Sequence, residues 1–206
     1  MIFYVAIIGC VLGLILGGSI KDLIDIKLKL IWLILIFGLF SLLPNVSFFS
    51  EQISKLGISA AYILAILRYG SLIFFAVVNR KNISCIVIGF GGTLNMLVTL
   101  ANSGKMPVSS LVLNVAPNDI HTIALKNGYV LNYIVENTKT NLSFLADNIR
   151  LPGIEVAFHS GKIINVVYYF ASIGDIVISI GIFLFCFLQA RPKFLINLKN
   201  NITKSH

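Results

Sequence analysis

Arg68 and Asp175 are the only charged side chains in the intervals 1–20, 30–50, 56–79, 82–104 and 163–190. A charge at the centre of a bilayer costs about 2.5–3.5 kcal/mol on insertion scales, so such residues are kept with a partner, with water or along a pathway. On helical geometry Arg68 lies about 18 Å above Arg80, and Asp175 about 24 Å above Arg191. An arginine bridges much of that difference by snorkelling along its stem. The two are therefore expected to approach each other directly or through one polar intermediary. Asn95, about 21 Å above Lys81 on the same geometry, is the natural intermediary. Asn95, Thr99 and Asn102 follow i, i+4, i+7 spacing and form one polar stripe; Ser172, Asp175 and Ser179 form a second. Facing stripes with Arg68 opposite describe either a network that fixes helix register or the wall of a wet cavity.

Other chemistries find no support in the spacing. There is no CxxC, no histidine pair at metal spacing and no serine elbow, so neither a metal nor a cofactor is expected. The Gly-Lys pairs at 104–105 and 161–162 lack the upstream glycine of a phosphate loop, because Thr99 and Val156 stand there. Gly89, Gly91 and Gly92 fall in mid-span, not between a strand and a helix. Cys10, Cys85 and Cys186 all lie in apolar intervals, so no disulfide is expected. His121 and His159 read as ordinary interfacial histidines.

The elements that would position Arg68 and Asp175 follow from composition. Of 206 residues, 57% are hydrophobic and 12% charged, about half the charged share of an ordinary soluble domain. Each apolar interval is long enough to cross a bilayer, which takes about 20 residues. The expected class is an all-α integral membrane protein with five transmembrane helices and an extracytoplasmic cap of short helices between the fourth and fifth. This excludes a single soluble globule, a nucleic-acid-binding domain and a disulfide scaffold. Residues 1–103 form a four-helix membrane region, 104–162 the cap, 163–190 the fifth span and 191–206 a basic cytoplasmic tail.

Loop charge sets the orientation. With the N-terminus outside, the cytoplasmic segments carry Lys21, Lys27 and Lys29, then Arg80 and Lys81, then Arg191, Lys193, Lys199 and Lys204. The first span lacks a basic flank and reads as a retained helix rather than a cleaved signal. Gly9, Gly13 and Gly17 place a small-residue strip on it for close helix approach. In the cap, Pro117 and Asp119 open a short helix closed by Gly128, and Asn141 opens another over Leu142–Ile149, closed by Pro152. The tail hugs the anionic cytoplasmic leaflet.

Three ordered motifs carry a resemblance. Asn102-Ser103-Gly104-Lys105-Met106-Pro107-Val108-Ser109 resembles the Asn-Gly-Gly-Arg-Met-Pro-Val-Ser signature of a bacterial multi-pass membrane family catalogued as domain of unknown function 5317. Leu145 to Pro152 is similar to the family's Leu-Ala-Asp-Ile-Ile-Pro-Leu-Pro, and Ser172-Ile173-Gly174-Asp175 to its Ser-x-Gly-Asp. Gly17-Gly18-Ser19-Ile20 and the run to Trp32 are similar too, so the resemblance covers nearly the whole chain. Ser103 stands for Gly, Lys105 for Arg, Asn148 for Ile and Arg150 for Pro. Lys105 keeps the charge and loses the planar fork. The resemblance implies a small membrane protein of the bacterial plasma membrane and supplies no activity.

These residues are consistent with binding or transport of a polar or charged ligand or lipid headgroup in an outward-facing pocket of Arg68, Asn95, Asn102, Lys105, Asp147 and Asp175. A second reading is a membrane-embedded hydrolase in which Asp147 and Asp175 share a proton to activate water. A third is an accessory subunit whose glycine strip binds another membrane protein. The expected partners are the bilayer, a polar ligand or a membrane protein, and not nucleic acid.

Overall fold

The computed structural model describes residues 2–43, 57–115, 120–127, 130–152, 155–159, 162–165 and 168–190. Helices dominate. In chain order they are α1 (Ile2–Ile15), α2 (Ile20–Ile24), α3 (Trp32–Leu42), α4 (Ile58–Val78), α5 (Ile83–Ala101), α6 (Val112–Val115), α7 (Ile120–Lys126) and α8 (Ile173–Gln189). The segments Ser59–Val78 of α4 and Ile83–Ala101 of α5 are long and apolar enough to cross a membrane by length and composition, whereas α1, α3 and α8 are shorter apolar helices. Pro117, Asp119, Gly128 and the tail 191–206 lie outside the described residues, as do the side chains of His121 and His159.

Glycines set the helix contacts. A Cβ on Gly9 would sit 2.8 Å from the Phe183 carbonyl, and one on Gly13 2.7 Å from the Ala190 Cβ, so α1 lies directly on α8. The strip is thus used inside the protein. Gly17 does not continue it: it is exposed past the end of α1 with φ +86°, and Gly18 takes the contact with Ala190. Cys10 and Cys186 meet in this same interface, both as free thiols. Where α5 crosses α8, a Cβ on Gly91 would lie 2.6 Å from the Gly174 carbonyl, and one on Gly174 would collide with the Asn95 side chain. Leu33, Phe75 and Cys85 pack α3 against α4 and α5, while Leu72, Ile88 and Ile178 join α4, α5 and α8.

The cap departs from the all-helical expectation. β1 (Met106–Val108) pairs in parallel with β2 (Tyr133–Val135), and on its other edge Val108 bridges Asp147. The Met-Pro-Val run is therefore held on both sides: Met106 N–H donates to Asn132 O, and Asp147 N–H donates to Pro107 O. β3 (Ile149–Pro152) pairs antiparallel with β6 (Tyr168–Ala171), and β4 (Glu155–His159) with β5 (Lys162–Asn165), as two separate two-stranded ladders. In the first of them the pair Ile149 with Ala171 brings the Asp147 segment beside the start of α8.

Two expectations are corrected here. The helix over Leu142–Ile149 is reduced to a single 3-10 turn, Ser143–Leu145, because Leu142 turns left-handed and the backbone of Asp147 is drawn onto β1. The fifth helix begins at Ile173, not at 163: Lys162–Asn165 and Tyr168–Ala171 are strands. The β-branched and aromatic residues there favour a strand. Ser172 then starts the helix with a capping box, its Oγ accepting from Asp175 N–H while the Asp175 carboxylate accepts from Ser172 N–H.

The signature Asn-Ser-Gly turn joins bundle to cap. Ser103 and Gly104 both have positive φ, and a Cβ on Gly104 would lie 2.5 Å from the α4 backbone at Tyr62. That left-handed pair explains physically why glycine suits either position. Val98, Met106 and Leu145 then seat the cap on α5.

If the Gly91–Gly174 crossing sets the bundle, Gly174→Ala is expected to destabilise the fold by about 1–3 kcal/mol of overpacking, read as a lower unfolding midpoint. Gly70 has nothing within 4 Å of a built Cβ. Gly70→Ala is therefore the control, expected to be neutral or slightly stabilising.

Candidate functional site

The site starts from the knot between α5 and α8. Asn95, 1% exposed, donates from Nδ2 to Asp175 Oδ1 at 2.7 Å and accepts at Oδ1 from Ser172 Oγ at 2.7 Å. Ser172 Oγ accepts from Asp175 N–H at 2.9 Å, and Ser172 N–H reaches Asp175 Oδ2 at 3.5 Å. Asp175 Oδ1 thus accepts from Asn95 and Oδ2 more weakly from Ser172 N–H, in the first turn of α8, where the helix dipole favours an anion.

Arg68 belongs to the same neighbourhood but does not pair with Asp175. Among the described residues the ion pair within 4 Å is Lys27 with Asp25, at the opposite end of the bundle from the cap. The Arg68 guanidinium instead lies over the Tyr69 ring, 4.5 Å from its centroid, and faces Tyr133 closely enough for a side-chain hydrogen bond. It feels the charge of Asp175 at longer range. The expectation is an approach made directly or through one polar intermediary; Asn95, the expected intermediary, bonds Asp175 and Ser172, and Arg68 meets Tyr69 and Tyr133 instead.

Asp147 completes the group from the cap. Its backbone is clamped to β1 through Pro107 and Ser109, which holds the side chain 6% exposed. Burial pushes its carboxyl up to about 8; the charge of Asp175 adds to the rise and that of Arg68 opposes it. Asp147 is therefore mainly neutral at pH 7. Burial likewise raises the Tyr133 phenol above its ordinary value.

The other two expected site residues go elsewhere. Asn102 closes a structural clamp in which its Nδ2 donates to Asn141 O at 2.8 Å and to Val98 O at 2.8 Å, while its Oδ1 accepts from Asn141 N–H at 2.9 Å. Its amide has little left for a ligand. Lys105 is half-buried behind the turn and makes no side-chain hydrogen bond or ion pair among the described residues. Tyr69, Asn132 and Tyr133 join the site without having been singled out in the sequence. Tyr69 merely adjoins Arg68, and the two cap residues sit in an apolar run that gives no spacing signal.

Beside this group a small recess of ≈ 10 Å³, room for about one water, lies between α3, α4, α5 and the cap. Arg68, Tyr69, Thr99 and Asn132 supply its polar wall, and Phe40, Leu64 and Leu131 part of its apolar one. Arg68 Nε, Tyr69 Oη and Asn132 Oδ1 are buried and find no protein partner among the described residues, nor does Asp147 Oδ1. Chemically the arrangement offers N–H and O–H donors, a carbonyl acceptor and a neutral carboxyl. Asp175, one member of the expected hydrolytic pair, accepts from Asn95 and Ser172. Among the described residues no cluster of three or more His, Cys, Asp or Glu is placed to hold a metal ion.

Because the folded carboxyl of Asp147 stays protonated to about pH 8, the native chain binds a proton that the unfolded chain releases above about pH 4. Stability should therefore be greatest below about pH 4 and fall as pH rises through this window, levelling off above pH 8. Thermal unfolding of wild type and Asp147→Asn over this range checks it: the substitution is expected to remove most of the slope.

Comparison with curated proteins and with solved structures gives no match. The model of one family, described as a family of unknown function and designated DUF5317, matches residues 25–187. That is well over half of the chain, and the chain therefore belongs to the DUF5317 family.

Proposed function

We propose that the protein crosses the bacterial plasma membrane five times, N-terminus outside and C-terminus in the cytoplasm, and binds or transports a polar or charged ligand in a recess open to the outer face. The membrane reading draws support from the apolar residues turned outward along the helices. Leu35 is 73% exposed, Phe90 60% and Ile63 56%, with Phe74 and Leu97 also exposed. Scattered exposed apolar residues are ordinary, but a belt of them around a bundle suits lipid and not water. At 17 residues, α8 is close to the shortest length that spans. The 14 residues of α1 and the 11 of α3 need their flanks to do so. The basic residues Arg80 and Lys81 lie between α4 and α5, away from the cap, as the inside bias of positive loops requires.

One observation supports the binding reading: Arg68, Tyr69 and Asn132, from α4 and the cap, line one recess, and each has a buried polar atom without a protein partner. Leaving a buried donor or acceptor unmet costs about 1–3 kcal/mol each. The Asn95–Asp175–Ser172 knot closes on itself, whereas the neighbouring polar atoms of Arg68, Tyr69 and Asn132 are buried without a protein partner.

Access from outside is testable at Lys105, which is half-buried at the turn joining α5 to the cap. In a background with Cys10, Cys85 and Cys186 replaced by alanine, Lys105→Cys in intact cells is expected to react with a small, charged, membrane-impermeant thiosulfonate. Reaction only after the cytoplasmic face is exposed, or none from either face, contradicts the outward-facing site.

A further inference from the structure

We infer that Asp147 is a proton-binding site on the cap side of the bundle, where its proton completes the charge balance of a buried cluster with Arg68 and Asp175. Proton binding here does not depend on a ligand in the recess. The cluster holds one cation and two carboxyl groups: Arg68 on α4, Asp175 in the first turn of α8, and Asp147 in the cap, bridged to β1. Asp147 interacts electrostatically with both of the others. Two carboxylates against one guanidinium would leave a net negative charge in a buried site, and burial penalises an uncompensated charge. One proton brings the sum to zero.

Geometry decides which carboxyl group carries that proton. Asp175 Oδ1 accepts from Asn95 Nδ2 at 2.7 Å, Oδ2 accepts more weakly from Ser172 N–H at 3.5 Å, and the dipole of α8 favours a negative charge there. The charged form of Asp175 is therefore provided for. Asp147 is served differently. Its backbone N–H donates to Pro107 O and its carbonyl accepts from Ser109 N–H, which fixes a side chain that is buried and whose Oδ1 has no protein partner among the described residues. A carboxylate there would lack the donors that Asp175 has, and the neutral acid is favoured. Burial accordingly pushes the Asp147 carboxyl up to about 8. Around it, α4 brings Arg68 and Tyr69, β2 brings Tyr133 and α8 brings Asp175, while α5 and β1 bring no charged side chain. Of these, Asp175 favours the protonated form of Asp147 and Arg68 the charged one. Two carboxyl groups in one cluster are thus driven apart by their surroundings, one kept as the anion and one as the acid.

The test is an infrared titration of the full chain in dodecyl maltoside, a detergent without carbonyl groups, reading the C=O stretch of protonated carboxyl groups from about pH 5 to about pH 10. Asp147→Asn mimics the protonated side chain, and the band it removes is the Asp147 signal. In the wild type that band is expected to disappear with a midpoint near pH 8. Asp175→Asn removes the like charge and should lower the midpoint, whereas Arg68→Gln removes the cation and should raise it, each by at least about half a pH unit. Shifts of opposite sign read the charge balance itself, since a carboxyl raised by burial alone would keep its midpoint in both variants. The wild-type titration needs no substitution, so it decides even if Arg68→Gln does not fold. A wild-type chain with no protonated carboxyl band above about pH 6 overturns the proposal. So does a midpoint that neither Asp175→Asn nor Arg68→Gln moves. A band that survives Asp147→Asn and is lost in Asp175→Asn puts the proton on the other carboxyl group and overturns it equally.

Discussion

The knot of Asn95, Ser172 and Asp175 is the constraint from which the rest of the arrangement follows. It exists because Gly91 and Gly174 let α5 and α8 touch backbone to backbone, which brings the Asn95 amide into reach of the first turn of α8. A larger residue at either glycine would part the helices by more than a hydrogen bond tolerates. Once the knot is tied, Asp175 has no need of a cation. An ion pair between Arg68 and Asp175 would have closed the interior and left nothing to explain. The charge on Arg68 is left facing aromatic side chains and a recess.

The cap serves this layout by backbone pairing and not by helix packing. β1 lies between β2 and the Asp147 segment, so one three-residue strand fixes Asn132 and Tyr133 on one side and Asp147 on the other. The ladder of β3 and β6 then returns the chain to Ser172. Polar residues from positions 68, 95, 132, 147 and 175 meet at one level although more than a hundred residues separate the first from the last. The clamp of Asn102 on Asn141 holds the joint between bundle and cap.

Some of this was legible in the sequence and some was not, for physical reasons. Arg68, Asn95 and Asp175 stood out because each is costly in an apolar helix. Their shared neighbourhood followed from helical rise alone. The error was to pair the two charges: a carboxylate at the third position of a helix has a closer partner in the capping serine, and Ser172-Ile173-Gly174-Asp175 already carried that signal. The same four residues marked the true start of α8. The apolar run ahead of them hid the strands, since a short, continuously apolar stretch has no period to separate strand from helix. Asn102 sits on the polar stripe by spacing, yet its role depends on Asn141, 39 residues away, which no local pattern reveals. Tyr69 and Asn132 were invisible for the same reason: what distinguishes them is an unmet hydrogen bond, a property of the packed interior.

The account stands on one energetic statement: Asp175 is coupled to Asn95 and not to Arg68. Double-mutant cycles on unfolding free energy measure both terms in the same protein. With Asn95→Ala, Arg68→Gln and Asp175→Asn, the Asn95–Asp175 coupling is expected at about 1 kcal/mol or more, and the Arg68–Asp175 coupling at about 0.5 kcal/mol or less. A coupling of about 3 kcal/mol between Arg68 and Asp175, the scale on which a broken buried ion pair registers, would show that the two charges satisfy each other and that no cation is left for a ligand.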